Sequence, residues 1–394
     1  MITIIKNIKV YKPQYFGVKD ILIVGEKIGT IHEGISASFK NGVKVNIIDG
    51  SGKIAVPGFI DSHVHIIGGG GEGSFKTRTP EIMLTDLTTN GITTVVGCIG
   101  VDSVTKNPIA LLAKARGLEE EGLTTFIYTG SYRIPVSTIT GGVIEDLMAI
   151  DKIIGVGEIA ISDHRSSQPT FEEFVKVAAD ARVGGMLSGK AGILDVHLGD
   201  GPKMLELITK TVEETEIPIT QFLPTHINRN SALFEAGIEY ARKGGFIDLT
   251  GTDDPEFLGS DIVRVGKGMK RLLAKGISDD NFALSSDAQG SMPIFNEKKE
   301  YQGLRLGTAA CLWNEIKDCV LKENIPLEIA IKAITSNPAR MLKLGNKGRL
   351  ESGYDADLCL LNESDLELDT VIAKGKIMVQ SNKPIFYGTF ENRS

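Results

Sequence analysis

Apolar and polar positions along this chain follow two alternating beats. Short β-branched runs read as eight strands: IAVPGFIDSHVH (54–65), ITTVVGCIG (92–100), TTFIYTG (124–130), IIGVGEIAI (153–161), GILDVHLG (192–199), ITQFLPTH (219–226), GFIDLTGT (245–252) and FALSSDA (282–288). Between them lie longer stretches with helical spacing, such as PTFEEFVKVAADARVGG (169–185) and GPKMLELITKTVEET (201–215). Eight strands alternating with helices over roughly 250 residues predict an α/β fold, a (β/α)8 TIM-type barrel. An open doubly wound sheet is the alternative, but it would show fewer strands and a Gly-rich first turn. The two ends of the chain keep a different rhythm. ITIIKNIKVY, DILIVGEKIGTI and VKVNIIDG near the start, and GRL, DADLCLLN and LDTVIAKGKIMVQ near the finish, read as short strands separated by turns. They predict one small β-sandwich domain built from both termini (1–53 and 347–394) beside a barrel domain (54–346), with helices over 313–323 and 327–343 leading from one to the other.

Composition narrows the function classes. The chain has 394 residues, 42% hydrophobic and 24% charged, enough to bury a large core. A net charge of −7 with interspersed signs leaves no basic footprint, so no nucleic-acid partner is expected. No run of about 18 apolar residues occurs, so no membrane span is expected. MITIIKNIKVYKPQ lacks the apolar core of a secretion signal. Cys98, Cys311, Cys319 and Cys359 lie in apolar stretches without a CxxC spacing and read as reduced, buried thiols of a cytoplasmic protein.

Candidate chemistry sits at the strand ends. Of six histidines, His63 and His65 form H-x-H on the first strand, where a period of two points both rings the same way. His197 ends the fifth strand, His226 the sixth, and Asp287 the eighth. Glu158 stands inside IIGVGEIAI, a charge in an apolar strand that must find a partner or neutralise. A lone strand histidine is usually a structural, hydrogen-bonded residue. Histidines at the same end of three strands are a different matter, because barrel enzymes place their working groups there. Imidazoles and carboxylates converging on one barrel mouth are the makings of a divalent-metal site.

These motifs carry a resemblance. VPGFIDSHVH, the single histidines after strands five and six, the aspartate of SSDAQGS and TSNPARMLKLGNKGRLESGYDADLCLLN resemble the amidohydrolase superfamily over nearly the whole chain. HVHIIGGGGEG with TRTPE, GSYRIPVSTITG, ISDHRSS, DVHLGDG, PTHINRN and SSDAQGS are similar to its isoaspartyl (β-aspartyl) dipeptidase family. The resemblance implies two divalent metal ions, zinc first among them, although manganese and cobalt suit the same donors. His63 and His65 with Asp287 would hold one ion, and His197 and His226 the other. Family members commonly bridge the ions with a carboxylated lysine on the fourth strand. Here that position is Glu158, also a two-oxygen monoanion, and Lys152 lies too far back to replace it.

The resemblance implies cleavage of the β-aspartyl amide bond of a small isoaspartyl dipeptide by a metal-bridging hydroxide, with Asp287 handling its proton and Tyr132 donating to the oxyanion. Glu72 would meet the substrate ammonium, Arg165 and Arg229 its carboxylates, and Ser291 with backbone groups of Gly70 and Gly71 would complete the cradle. GGGG is not followed by Lys-Ser/Thr, which argues against a phosphate loop. His164 reads as a supporting residue and His32 as incidental. The resemblance also implies a homo-oligomer, an octamer built from dimers. Competing readings are another amidohydrolase, such as an N-acyl-D-amino-acid deacylase or a dihydroorotase, and a non-catalytic scaffold of the same fold.

Overall fold

The computed structural model describes residues 2–36, 44–253, 261–296, 298 and 300–392. Eight parallel strands form the barrel: β1 (Phe59–Val64), β2 (Ile92–Gly97), β3 (Thr124–Thr129), β4 (Ile153–Ile161), β5 (Ile193–Leu198), β6 (Phe222–Thr225), β7 (Ile247–Thr250) and β8 (Phe282–Ser285). Strands β1 to β6 hydrogen-bond in sequence order, and β7 pairs with β8. Two seams close the ring. Val64 bridges to Ala288 beyond β8. At the other seam the Asn228 side chain accepts from the Thr250 amide at 2.8 Å and donates to its carbonyl at 3.0 Å, standing in for a ladder between β6 and β7.

Burial on both faces is why these strands read as continuous apolar runs; β1, β2, β4 and β5 are buried at every position. Inside the barrel, Val96, Tyr128, Ile154, Ile193 and Leu223 pack with Met341 and Leu342 from the last helix, filling the end away from the site. The outer face packs on helices with their own start signals. Thr170 and Glu173 form a reciprocal capping box on Phe171–Ser188, and Asn107 and Asn230 cap Pro108–Glu120 and Ser231–Arg242.

The termini form one nine-stranded sheet in which Leu358–Asn362 from the end of the chain pairs with Lys53–Pro57 from the beginning. Ile5, Ile21, Ile28, Ala55, Leu358 and Ile372 share its core. Lys53–Pro57 thus belongs to this sheet, and the chain crosses to the barrel at Gly58, not at 53/54. That strand serves both bodies: Ala55 faces the small core, while Ile54 and Val56 pack with the barrel. GRL is not a strand, although Leu350 is buried in the small core. The helix expected over 313–323 spans Ala310–Leu321. The one expected over 327–343 is broken into Leu327–Ala330, a 3-10 turn at Ile331–Ile334 and Ser336–Met341. Pro338 has no N–H to give the Ile334 carbonyl, so the α ladder cannot run through.

A buried lysine joins the two bodies. Lys347 donates to Thr124 Oγ1 at the start of β3 (2.6 Å) and pairs with Asp355 (2.8 Å) and Asp357. Lys347→Met would leave Asp357, itself buried, without its cation. Removing one member of a buried ion pair costs roughly 3 kcal/mol or more. The urea midpoint of the variant should fall accordingly, followed by fluorescence of the single tryptophan, Trp313, whose indole donates to Leu366 at 3.0 Å.

Candidate metal centre

All six residues expected to hold metal meet at one end of the barrel. His63 lies on β1 with His65 just past its end, Glu158 on β4 and His197 on β5. His226 and Asp287 follow β6 and β8 at positive φ, each starting a tight turn closed by its own carbonyl. Glu158, 1% exposed, is at the centre. Its Oε2 lies 3.0 Å from His197 Nδ1, 3.2 Å from His63 Nε2 and 3.8 Å from His226 Nε2, and its Oε1 is 3.3 Å from His65 Nε2. Asp287 Oδ1 stands 3.0 Å from His65 Nε2 and 3.8 Å from His63 Nε2. The glycine before Glu158 is a steric requirement: a Cβ on Gly157 would come within 2.7 Å of Asp195 Cβ on β5.

Three of the four rings are steered from behind. Asp195 Oδ2 is 3.0 Å from His63 Nδ1, Asp163 Oδ2 is 3.0 Å from His197 Nε2, and Thr250 Oγ1 is 2.7 Å from His226 Nδ1. A carboxylate behind one ring nitrogen fixes the proton there and leaves the other nitrogen as a bare lone pair. For His63 and His197 the bare nitrogen then faces Glu158, lone pair against carboxylate. Only a cation or a proton between them relieves that arrangement.

Three buried atoms here have no hydrogen-bond partner: His63 Nε2, Glu158 Oε1 and Asp287 Oδ1. Without metal a proton takes the cation's place: burial opposes ionisation of Glu158, but protonated imidazoles around it, His63 foremost, hold its carboxyl well below the usual range. Burial and the adjacent His197 depress His226 to about 3, so it stands as a neutral donor. The set fits divalent ions. Two groups, His63/His65/Cys98/Glu158 and Glu158/His197/His226, each have ligand atoms within 4.8 Å of one another, and Glu158 is common to both. Cys98, read from the sequence as a buried thiol, is indeed buried and free, and its sulfur lies 3.9 Å from His65 Nδ1. Lys152 faces the other way, paired with Glu119.

The centre opens into a cavity of about 290 Å³. Tyr132 reaches it with its hydroxyl 3.0 Å from His197 Nδ1. Arg165 is engaged rather than free. Its Nε and Nη2 donate to Asp163 at 3.0 and 2.7 Å, and its Nη1 donates to Glu72 at 3.0 Å. Ser291 donates to the same Glu72 carboxylate at 2.9 Å, so its hydroxyl serves Glu72 in this state. Arg229 lines the cavity and is steadied by its Nε donating to the Leu198 carbonyl at 2.9 Å. Gly70 is part of the wall, whereas Gly71 is not and its N–H is given to Thr77 at 3.2 Å. The expected cradle therefore loses Gly71, because the glycine turn folds back on its own loop. His164 lines the cavity and packs edge-on against Phe295, and His32 is exposed on the small sheet.

Asp195 of DVHLGDG and Asp163 of ISDHRSS join the site without having been among the expected residues. The signal was available: an acid two residues before a candidate histidine, and another two before a candidate arginine.

A model of the amidohydrolase family matches residues 54–378. A solved β-aspartyl dipeptidase from the thermophilic keratin-degrading Fervidobacterium islandicum AW-1, in complex with a β-Asp-Leu dipeptide, is 45% identical with a TM-score of 0.93, covering 100% of this chain and 99% of that one. A second structure of that dipeptidase is 44% identical with a TM-score of 0.90, covering all of both chains. A deacetylase of Brucella anthropi is 23% identical over 93% of this chain and 86% of its own length. With the barrel, the converging donors and a family match across most of its length, this chain belongs to the amidohydrolase family.

Proposed function

We propose that this chain is a binuclear-metal dipeptidase that cleaves the β-aspartyl (isoaspartyl) amide bond of small dipeptides. One observation carries the reading: a single cavity joins the Glu158-centred donor set to an ion pair, Glu72 with Arg165, suited to a zwitterionic ligand. The similarity to a dipeptidase solved with β-Asp-Leu supports it. In this reading His63, His65 and Asp287 would hold one divalent ion, His197 and His226 would hold the second, and Glu158 would serve both. Bound divalent ions would supply a water that loses its proton near neutral pH and a polarised scissile carbonyl.

The chain's own residues do the rest. Asp287, with one carboxylate oxygen lacking a hydrogen-bond partner, accepts the proton from the attacking water and hands it to the departing amine. Tyr132 donates its hydroxyl hydrogen to the developing oxyanion. Glu72 receives the substrate ammonium. Arg165 has five N–H groups and spends three on Asp163 and Glu72, which leaves two for a carboxylate. Arg229 meets the second carboxylate, and Ser291 and the Gly70 backbone line the same wall.

Finer features belong to the same proposal. Zinc is favoured by neutral imidazoles mixed with carboxylates. Four buried, unpaired cysteines fit a reducing cytoplasm. A homo-oligomer, taken from the resemblance as an octamer, would cover apolar side chains that this chain leaves exposed on two mutually packed helices: Met148, Val183, Met186 and Leu187.

Three outcomes follow. Zinc-loaded protein should cleave β-Asp-Leu and leave α-Asp-Leu and dihydroorotate almost untouched when release of free amino acid and ring opening are assayed; preference for the ring would overturn the assignment. Glutamate needs no carbon dioxide to become a ligand, so apo-protein should take up about two equivalents of zinc in bicarbonate-free buffer. Glu158→Ala should weaken metal binding more than about 100-fold, beyond what loss of an outer partner costs, and abolish turnover. Full metal content in that variant would exclude the shared role of Glu158, and failure of the parent protein to bind metal would favour a scaffold.

A further inference from the structure

Asp163 has no place in the reaction outlined above, yet it touches both halves of the site. It follows β4 by two residues and is 5% exposed. Its Oδ1 accepts from the Arg165 amide at 2.7 Å and from Arg165 Nε at 3.0 Å. Its Oδ2 accepts from Arg165 Nη2 at 2.7 Å and lies 3.0 Å from His197 Nε2. The backbone leaves it little freedom, since its carbonyl accepts from Gln168 Nε2 and the Ser166 amide. Packing adds a further restraint: a Cβ on Gly199 would come within 2.5 Å of Asp163 Cβ, so only glycine lets the turn after β5 pass this close.

One carboxylate oxygen is therefore shared between an arginine facing the cavity and a histidine facing Glu158. With Nε2–H given to Asp163, His197 presents Nδ1 as its lone pair toward Glu158. The more fully Oδ2 accepts from His197, the more basic Nδ1 becomes. Arg165 competes for that oxygen. A ligand carboxylate that draws Nη2 toward itself relaxes the competition and strengthens the bond to His197. We propose that Asp163 is a positioning residue that couples the two halves: engagement of Arg165 by a ligand carboxylate tightens metal held by His197, Glu158 and His226. By linkage, metal in that group tightens carboxylate binding by the same factor. The inference rests on the assignments of Arg165 and His197 under the proposed function.

Asp163→Asn is nearly isosteric, but the amide cannot satisfy both duties. If its nitrogen faces His197, the ring takes the wrong tautomer. If its oxygen does, the nitrogen opposes the Arg165 donors. The test uses full-length zinc-loaded protein in a chelator chase, with zinc release followed by a colorimetric indicator with and without L-aspartate. Wild type should release its more labile zinc about fivefold more slowly with L-aspartate present, the low end of ordinary coupling. Asp163→Asn should bind that ion about tenfold more weakly, keep the other ion, and gain no protection from L-aspartate. Arg165→Gln removes the competitor and leaves Asp163 Oδ2 to His197, so without L-aspartate it should release that zinc about as slowly as wild type does with it, and gain nothing further from L-aspartate. With zinc in excess, Asp163→Asn should recover most of its kcat while its KM stays raised.

Wild-type zinc affinity in Asp163→Asn would overturn the coupling. So would equal protection of both proteins, which would mean that L-aspartate reaches the ions directly. Zinc release reads the effect of Asp163 on its own terms, so a protein that failed to cleave β-Asp-Leu would sink the proposed function without deciding this comparison.

Discussion

A buried carboxylate among four imidazoles governs this structure. Glu158 has given up its water, and a carboxylate in a low-dielectric interior survives as an ion only where positive charge or hydrogen donors replace what it lost. Its neighbours are poor replacements by themselves. Three of the four are held from behind by Asp195, Asp163 and Thr250, so their near nitrogens are turned inward at 3.0 to 3.8 Å and each needs a proton or a metal ion between it and the carboxylate. Such a cluster is unstable as a neutral assembly. Its geometry is explained by divalent cations that each lone pair and each oxygen can share, and the chain holds the donors where those cations belong.

The fold meets that demand by dividing the barrel along its axis. At one end Met341 and Leu342 plug the interior beneath Val96, Tyr128 and Leu223. At the other end polar side chains take over, and several are backed by a side chain from a different strand. Asp195 reaches from β5 to His63 on β1, and Thr250 reaches from β7 to His226 after β6. Close packing sets the spacing, since Gly157 gives way to Asp195 and Gly199 to Asp163. Ligand positions are thus fixed before any ion arrives, which lowers the cost of ordering them on binding.

Much of this was legible in the order of residue types. Eight buried strands announce themselves as apolar runs because both of their faces are covered, and a histidine at the end of such a run has few places to point but the barrel mouth. Glu158 stood out because a charge in IIGVGEIAI has no local partner. What stayed hidden depends on distance in space. The Glu72 and Arg165 side chains are far apart in sequence, and nothing near either one shows that they pair, or that Ser291 joins them. Gly71 looked available because a glycine run suggests exposed amides, whereas its turn returns that amide to Thr77. The crossing at Gly58 was blurred because IAVPGFIDSHVH is apolar on both sides of it and Lys53–Pro57 serves two cores. The break near Thr335 could have been read from Pro338, but the apolar spacing of 327–343 runs on across it.

The polar wall of the cavity bears on which ligand the site selects. Glu72 and Arg165 neutralise each other at 3.0 Å, with 6% and 11% of their side chains exposed. A neutral ring or an N-acyl group entering this cavity would press against that pair without offering either member a partner, and would displace water from both. A ligand carrying an ammonium and a carboxylate can exchange partners with the pair. Glu72 takes the ammonium and Arg165 the carboxylate, so every buried charge remains matched after the exchange. Asp163 Oδ1 keeps Arg165 Nε and the Arg165 amide even as Nη2 leans toward the ligand, and so holds the guanidinium in the wall. Discrimination then comes from the charges a competing ligand leaves unpaired, and an isoaspartyl dipeptide, with one ammonium and two carboxylates set against Glu72, Arg165 and Arg229, leaves none.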